Sequence, residues 1–365
     1  MGPLHGVKVV EMAGLAPGPF GCMILADLGA HVLRIQRGGA PGPGLVPPDG
    51  PLERGKTTIA LDVKKSDDLR TLRALIERAD VFVEGFRPGV AERLGIGPCD
   101  VMERNPALIY ARMTGWGQDG PLAPTAGHDI NYIALAGVLD LIGRPGERPV
   151  PPGNIIGDFA GGGMLLALGV IAALYERGGS GMGQVVDAAM VDGSALYTAF
   201  VHGMHKEGLW NEPRGKNMLD GAAPFYDTYE CADGRYVAVG CVEPAFYRQL
   251  LDVLGIDDTD LPHQSDQGGW PVLRDILAER FLKRTRDEWS DAFAATDACV
   301  TPVLSPWEAH DHVHNRARRA YIDVDGLRQP APAPRFSRTP APPPQPHRSA
   351  DDDAIAAWIG SESRG

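Results

Sequence analysis

Up to Gly115 the chain alternates short apolar runs with amphipathic stretches, and this alternation constrains the fold more than any other feature. VKVVE (7–11) is followed by a Gly/Pro turn, by the helical stretch CMILADLGA (22–30) and by a second run, HVLRI (31–35). Ser66 opens a helix with Asp67 and Asp68 in its first turn, where free N–H groups favour acids. Leu69, Leu72, Leu75 and Ile76 share one face of it. DVFVE (80–84) and ALIYARM (107–113) read as third and fourth strands. Strands and helices in this order predict an α/β domain, with a parallel sheet covered by helices.

Past residue 225 the pattern changes. FYDTYECADGRYVAVG (225–240) is two alternating runs joined around Asp233-Gly234, which predicts a β-hairpin. A smaller α+β domain is expected over 225–324, with helices near 244–254, 272–283 and 287–295. The larger domain then spans 1–224 and is completed by 325–365, whose tail SADDDAIAAWIG reads as a final helix packed on that domain. Two Gly/Pro-rich stretches, 38–51 and 329–347, read as irregular connections, because Pro fixes φ and removes a donor.

With 365 residues, 44% of them apolar, the chain has material for two domains and a large core. Its 35 basic and 47 acidic residues leave a net charge of −12, which argues against a nucleic-acid partner. The five cysteines, Cys22, Cys99, Cys231, Cys241 and Cys299, show no metal or redox spacing and read as free thiols in a reducing, cytoplasmic compartment. The most apolar stretch, Met164 to Tyr175, is shorter than the roughly 20 residues of a membrane span, so no membrane is expected. In HDHVHNR (310–316) the three histidines do not share a helical face, and no metal site is expected.

The first turn, GLAPGPFG, has glycines at 14, 18 and 21, which is neither the GxGxxG of a dinucleotide fold nor a phosphate-binding loop. Arg37 follows the second strand, where an Arg suits a phosphate and a dinucleotide fold would place an acid. Arg54, Lys56, Lys64, Lys65, Arg87 and Arg93 form a set able to surround a polyanionic nucleotide, with Phe86 or Leu61 to pack on a base. Singly, each reads as a solvated surface charge.

GHDINYIALAGVL (127–139) and GDFAGGGMLLALGVIAAL (157–174) place a proton-transfer side chain, His128 or Asp158, after a Gly and before an apolar helical run. At a helix start the dipole favours an ionised carboxylate and a neutral imidazole, so the two read as an anionic and a neutral base. Capping is the plainer reading for Asp158, while His is an unusual cap. Glu243, before Pro244 in CVEPAFY, is again either a cap or a partner for His128.

Six segments in order, VVEMAGLAPGPFGCMILADLGAHVLRIQR, RGKTTIALDVK, VEGFRPGVAERLG, YARMTGWGQDGPLA, GHDINYIALAG and GNIIGDFAGGG, resemble the family III CoA-transferase superfamily of CaiB/BaiF type. Within it they resemble the branch that racemises α-methylacyl-CoA thioesters. The likeness runs from near residue 4 to about 320 and implies an interlocked homodimer, each chain having a Rossmann-like large domain and a smaller domain. It implies that His128 and Asp158 flank the α-carbon of an acyl-CoA and that Glu243 supports His128. Arg37, Ala60, Leu61, Lys64, Phe86, Arg93 and Leu94 match positions that contact CoA. No cofactor beyond the substrate's own CoA is implied. The alternative is a transferase with Asp158 as covalent nucleophile. Against it stand His128, where transferases generally carry an aromatic residue, and CVEPAFY, where they carry a glycine-rich loop.

Overall fold

A computed structural model describes residues 1–38, 50–259, 261–350 and 352–360. Most of the expected irregular connection at 38–51 lies outside the described residues. By its contacts the chain falls into two compact units: Met1–Leu139 with Pro152–Ala199 and Arg319–Gly365, and Asp140–Pro151 with Phe200–Arg318.

The first unit is built on a seven-stranded sheet among the described residues, parallel throughout. Its strands are β1 (Lys8–Met12), β2 (His31–Gln36), β3 (Lys56–Ala60), β4 (Val81–Glu84), β5 (Ile109–Thr114) and β6 (Val185–Ala189). Arg348–Ser349 adds an edge strand beside β3, so the C-terminal segment completes this sheet. The order from that edge runs β3-β2-β1-β4-β5-β6. Val9, Val10, Val81 and Phe82 have no exposed surface, as expected of strands covered on both faces.

The helices follow the apolar periodicity. α1 (Pro17–Asp27) carries Pro at its start, and α2 (Ser66–Glu77) buries Leu72, Leu75 and Ile76. Then come α3 (Val90–Arg93), α4 (Pro98–Met102) and α5 (Asp129–Leu135). Ile155–Met164 is π-helical and runs directly into α6 (Leu165–Ser180), followed by α7 (Met190–Leu196). The expectation of an apolar run too short to span a membrane is thereby corrected: Ile155–Ser180 is continuous, and long and apolar enough to cross a bilayer by length and composition. In this unit Leu166, Ala167, Val170 and Ala173 put one face of it into the core with Cys22, Leu25 and Ile109. The final helix, Asp352–Gly360, sets Ile355, Trp358 and Ile359 against the cluster holding Leu72 and Leu75, as the sequence predicts.

β3 was not legible as a strand. RGKTTIALDVK reads as charge around turns, yet Lys56 is wholly buried, with Nζ 2.8 Å from Glu11 Oε2, 3.1 Å from Glu53 Oε2 and 3.0 Å from the Pro19 carbonyl. Arg54 is buried too, with Nε 3.0 Å from Asp27 Oδ1 and Nη1 2.9 Å from Gln329 Oε1. Neither cation is available to a nucleotide, which corrects that part of the sequence reading.

In the second unit Tyr226–Glu230 and Tyr236–Gly240 form the predicted hairpin, with Gly234 at φ +72 in its turn, where a side chain would be strained. Val300–Pro302 adds a third antiparallel strand. Helices Pro244–Leu254, Trp270–Phe281 and Arg286–Phe293 cover it, close to the expected spans. Their core is aromatic: Phe281 stacks on Tyr229 with ring centroids 5.1 Å apart and meets Trp289 edge-on at 5.5 Å.

Candidate active site

Because the strands of the first unit run the same way, the segments leaving β1 to β5 gather along one edge of the sheet. In the order β3-β2-β1-β4-β5-β6 the winding reverses between β1 and β4, and the connections diverge there to leave a crevice. A cleft of about 620 Å³ opens at this place. Gly14–Gly18 after β1, Gly85–Pro88 after β4, and Gly115 and Trp116 after β5 form its walls. His128 and Tyr132 at α5, and Asn154 and Asp158 at the π-helical segment, complete it.

A run of glycines brings the π-helical segment this close. A β-carbon on Gly163 would lie 2.5 Å from the Pro17 carbonyl oxygen, and one on Gly162 would lie 2.8 Å from Met190 Cγ. Only glycine lets α1 and α7 approach the segment so closely. The π-helix is uncommon and recurs at functional sites.

His128 precedes α5 in an extended conformation, and its own N–H donates to Asn131 Oδ1 at 3.1 Å. The imidazole makes no capping hydrogen bond and is exposed on the cleft. Capping here is therefore done by Asn131, which leaves His128 free for other chemistry.

Asp158 is half-buried, and its Oδ2 accepts a hydrogen bond from Asn154 Nδ2 at 3.1 Å. Burial pushes its proton affinity above the ordinary aspartate value, and the nearby Asp129 carboxylate adds to this. The Asn154 hydrogen bond and His128 oppose it. The dipole at a helix start favours the ionised form of a carboxylate. Burial overrides it, and Asp158 sits in the first turn of a π-helical segment rather than of an α-helix. Tyr132, buried edge-on against Trp116 with centroids 4.8 Å apart, is pushed up to about 12 by burial and by the carboxylates of Asp158 and Asp129.

Several other predicted residues lie on the same sheet edge. Arg37 follows β2 and is exposed; Ala60 ends β3, with Leu61 and Lys64 just beyond. Phe86 follows β4 and lines the cleft, while Arg93 and Leu94 end and follow α3. Glu243 belongs to the second unit, where it precedes the helix Pro244–Leu254; its side chain is exposed and makes no capping hydrogen bond. Trp116, Tyr132 and Asn154 escaped the sequence reading as site residues, although they lie within the quoted segments TGWG, DINY and GNIIGD.

A family model described as CoA-transferase family III matches residues 4–351. The chain belongs to CoA-transferase family III. Within family III it is similar to the Alpha-methylacyl-CoA racemase of Mus musculus, 51% identical over 341 residues, covering 93% of this chain and 88% of that protein. The Homo sapiens protein of the same name is 48% identical over the same shares. A CAIB/BAIF family protein from Brucella suis has a similar structure, with a TM-score of 0.83 at 26% identity, over 98% of this chain and 99% of that one. The α/β architecture is thus shared across the family at low identity, while the likeness to the racemases is much closer.

Proposed function

We propose that this family III member inverts the α-carbon of 2-methylacyl-CoA thioesters by moving a proton between His128 and Asp158. The observation that carries this reading is the meeting of the two groups in one cleft from separate helical segments, in a chain about half identical to racemases. Racemisation beside a thioester needs a base on each face of the carbon and stabilisation of the enolate oxygen between them. In one direction Asp158 takes the α-proton, the C–H pair moves into the enolate, and the imidazolium of His128 returns a proton on the opposite face. The reverse direction exchanges the roles. The raised proton affinity of Asp158 narrows its gap to an imidazole, which favours transfer both ways.

Coenzyme A lies along the sheet edge in this reading, with Arg37, Lys64 and Arg93 toward its phosphates and Ala60, Leu61, Phe86 and Leu94 against its apolar parts. Glu243 holds His128 in one tautomer. The reaction draws on no metal or redox group. The chain works as a homodimer: Met164, Leu168, Tyr175, Leu196 and Tyr197 leave the first unit with large exposed apolar side chains of the kind a subunit interface covers. The five unpaired thiols suit a cytoplasmic setting.

Each epimer of a 2-methylacyl-CoA, incubated in D₂O without any acceptor acid, acquires deuterium at C2 as the mixture equilibrates. His128→Ala and Asp158→Ala abolish interconversion, and each keeps exchange only on the face whose base survives. A hydroxylamine-trappable adduct on Asp158 with no label at C2 would establish the transferase alternative. Sedimentation as a monomer of about 39 kDa would overturn the dimer.

A further inference from the structure

Between the two proposed bases stands a buried carboxylate that neither role uses. Asp129 follows His128 directly and is only 5% exposed. Its Oδ2 accepts the backbone N–H of Asp158 at 2.7 Å. Its Oδ1 is buried and has no hydrogen-bond partner. A carboxylate buried with one oxygen unpaired is costly and persists where another function outweighs the cost. Gly157 leaves the room for it, since a β-carbon there would lie 2.6 Å from Asp129 Oδ2.

We infer that Asp129 is a positioning residue, gripping the backbone of Asp158 so that this base stands at a set distance from His128. α5 is anchored on its own account by Tyr132 and Ile133, both buried, so His128 keeps its place whatever Asp129 does. The segment carrying Asp158 packs on α1 and α7 through buried glycines, and at Asp158 itself Asn154 holds the carboxylate and Asp129 holds the N–H. The negative charge of Asp129 also raises the proton affinity of Asp158, in the same direction as burial. The inference rests on the racemase reading, and its consequence is one-sided. Loss of the grip impairs proton transfer on the Asp158 face and spares the His128 face.

The test uses the full chain and each pure epimer of a 2-methylacyl-CoA in D₂O, with initial C2 labelling, kcat and KM measured for wild type, Asp129→Ala and Asp129→Asn. The Asp158 face is the one whose labelling Asp158→Ala removes. Asp129→Ala slows labelling on that face by about a hundredfold, the scale of a misplacement of about 1 Å, through kcat with KM nearly unchanged. Labelling on the other face stays within about threefold of wild type. Asp129→Asn, which keeps an oxygen for the Asp158 N–H and the same shape, recovers at least about tenfold of the loss. Equal slowing on both faces, a change in KM alone, or no gain from Asn over Ala overturns the positioning role. Absence of label from the wild type instead overturns the racemase reading itself, so the two failures are distinct.

Discussion

Lys56 Nζ lies 2.8 Å from Glu11 Oε2, and both side chains are wholly buried. Through it β3 is joined to β1, to Glu53 and to the Pro19 carbonyl in the first turn of α1, next to Gly14–Gly18, which form one wall of the cleft.

Removing the cation leaves the buried carboxylate of Glu11 without its ion-pair partner and Glu53 with Arg34 alone, 3.2 Å away. Lys56→Met should cost about 3–5 kcal/mol of unfolding free energy, and adding Glu11→Gln should recover part of it. The pH dependence has a definite sign. Burial raises the proton affinity of Glu11, so its native form takes up a proton more readily than its unfolded form; without Lys56 to oppose this, stability rises as pH falls. Urea unfolding of Lys56→Met at mildly acidic and mildly alkaline pH checks it, and greater stability on the alkaline side contradicts it.

The acidic limb of the racemisation profile should lie above the ordinary aspartate value of 3.8, because Asp158 must ionise to accept a proton and burial opposes that. Asn154→Ala removes the hydrogen bond that favours the ionised form and should move the limb to still higher pH. The measurement is kcat/KM against pH, and a downward shift counts against the assignment.

At Gly157 even a methyl group is too much. Gly157→Ala sets a β-carbon 2.6 Å from Asp129 Oδ2 and should cost about 1–3 kcal/mol of stability. It should also lower kcat at least about tenfold by displacing Asp158. Thermal unfolding and steady-state kinetics read the two effects separately, and wild-type values in both refute the close approach.

Arg112 ties the loop after β4 to α3. Its Nε donates to Glu84 Oε1 and its Nη1 to Glu92 Oε1, each at 2.9 Å, while Glu84 Oε2 accepts the Phe86 N–H at 2.6 Å. Arg112→Met strands Glu84 in a buried position and should destabilise the chain by about 3–5 kcal/mol. If Phe86 contacts coenzyme A, the same change weakens CoA binding in calorimetry at a temperature where the variant is still folded. Unchanged affinity would remove this loop from the binding site.

Much of this architecture is written locally. The 3.6-residue spacing of Leu72, Leu75 and Ile76, the hairpin turn at Gly234 and the runs VKVVE and DVFVE each declare their element through a period or a turn residue that acts over a few positions. His128 and Asp158 were legible because each stands between a Gly and an apolar run, which places it at the start of a helix whatever the rest of the chain does. β3 was hidden because its register and burial depend on partners far away in sequence. Lys56 counts as solvated until Glu11, 45 residues earlier, is brought against it.

The same division holds in the cleft. Sequence alone determined the residue types, their order and the likeness to family III, since these are properties of the chain read one segment at a time. Tertiary structure alone decided which of them meet. The winding of the sheet reverses between β1 and β4 and so sets Gly14–Gly18 opposite Phe86, and a run of glycines lets the π-helical segment lie against Asp129. The proton affinity of Asp158 was likewise decided by packing. The charge of a carboxylate depends on the water it has lost and on the charges beside it, and neither exists until the chain has folded.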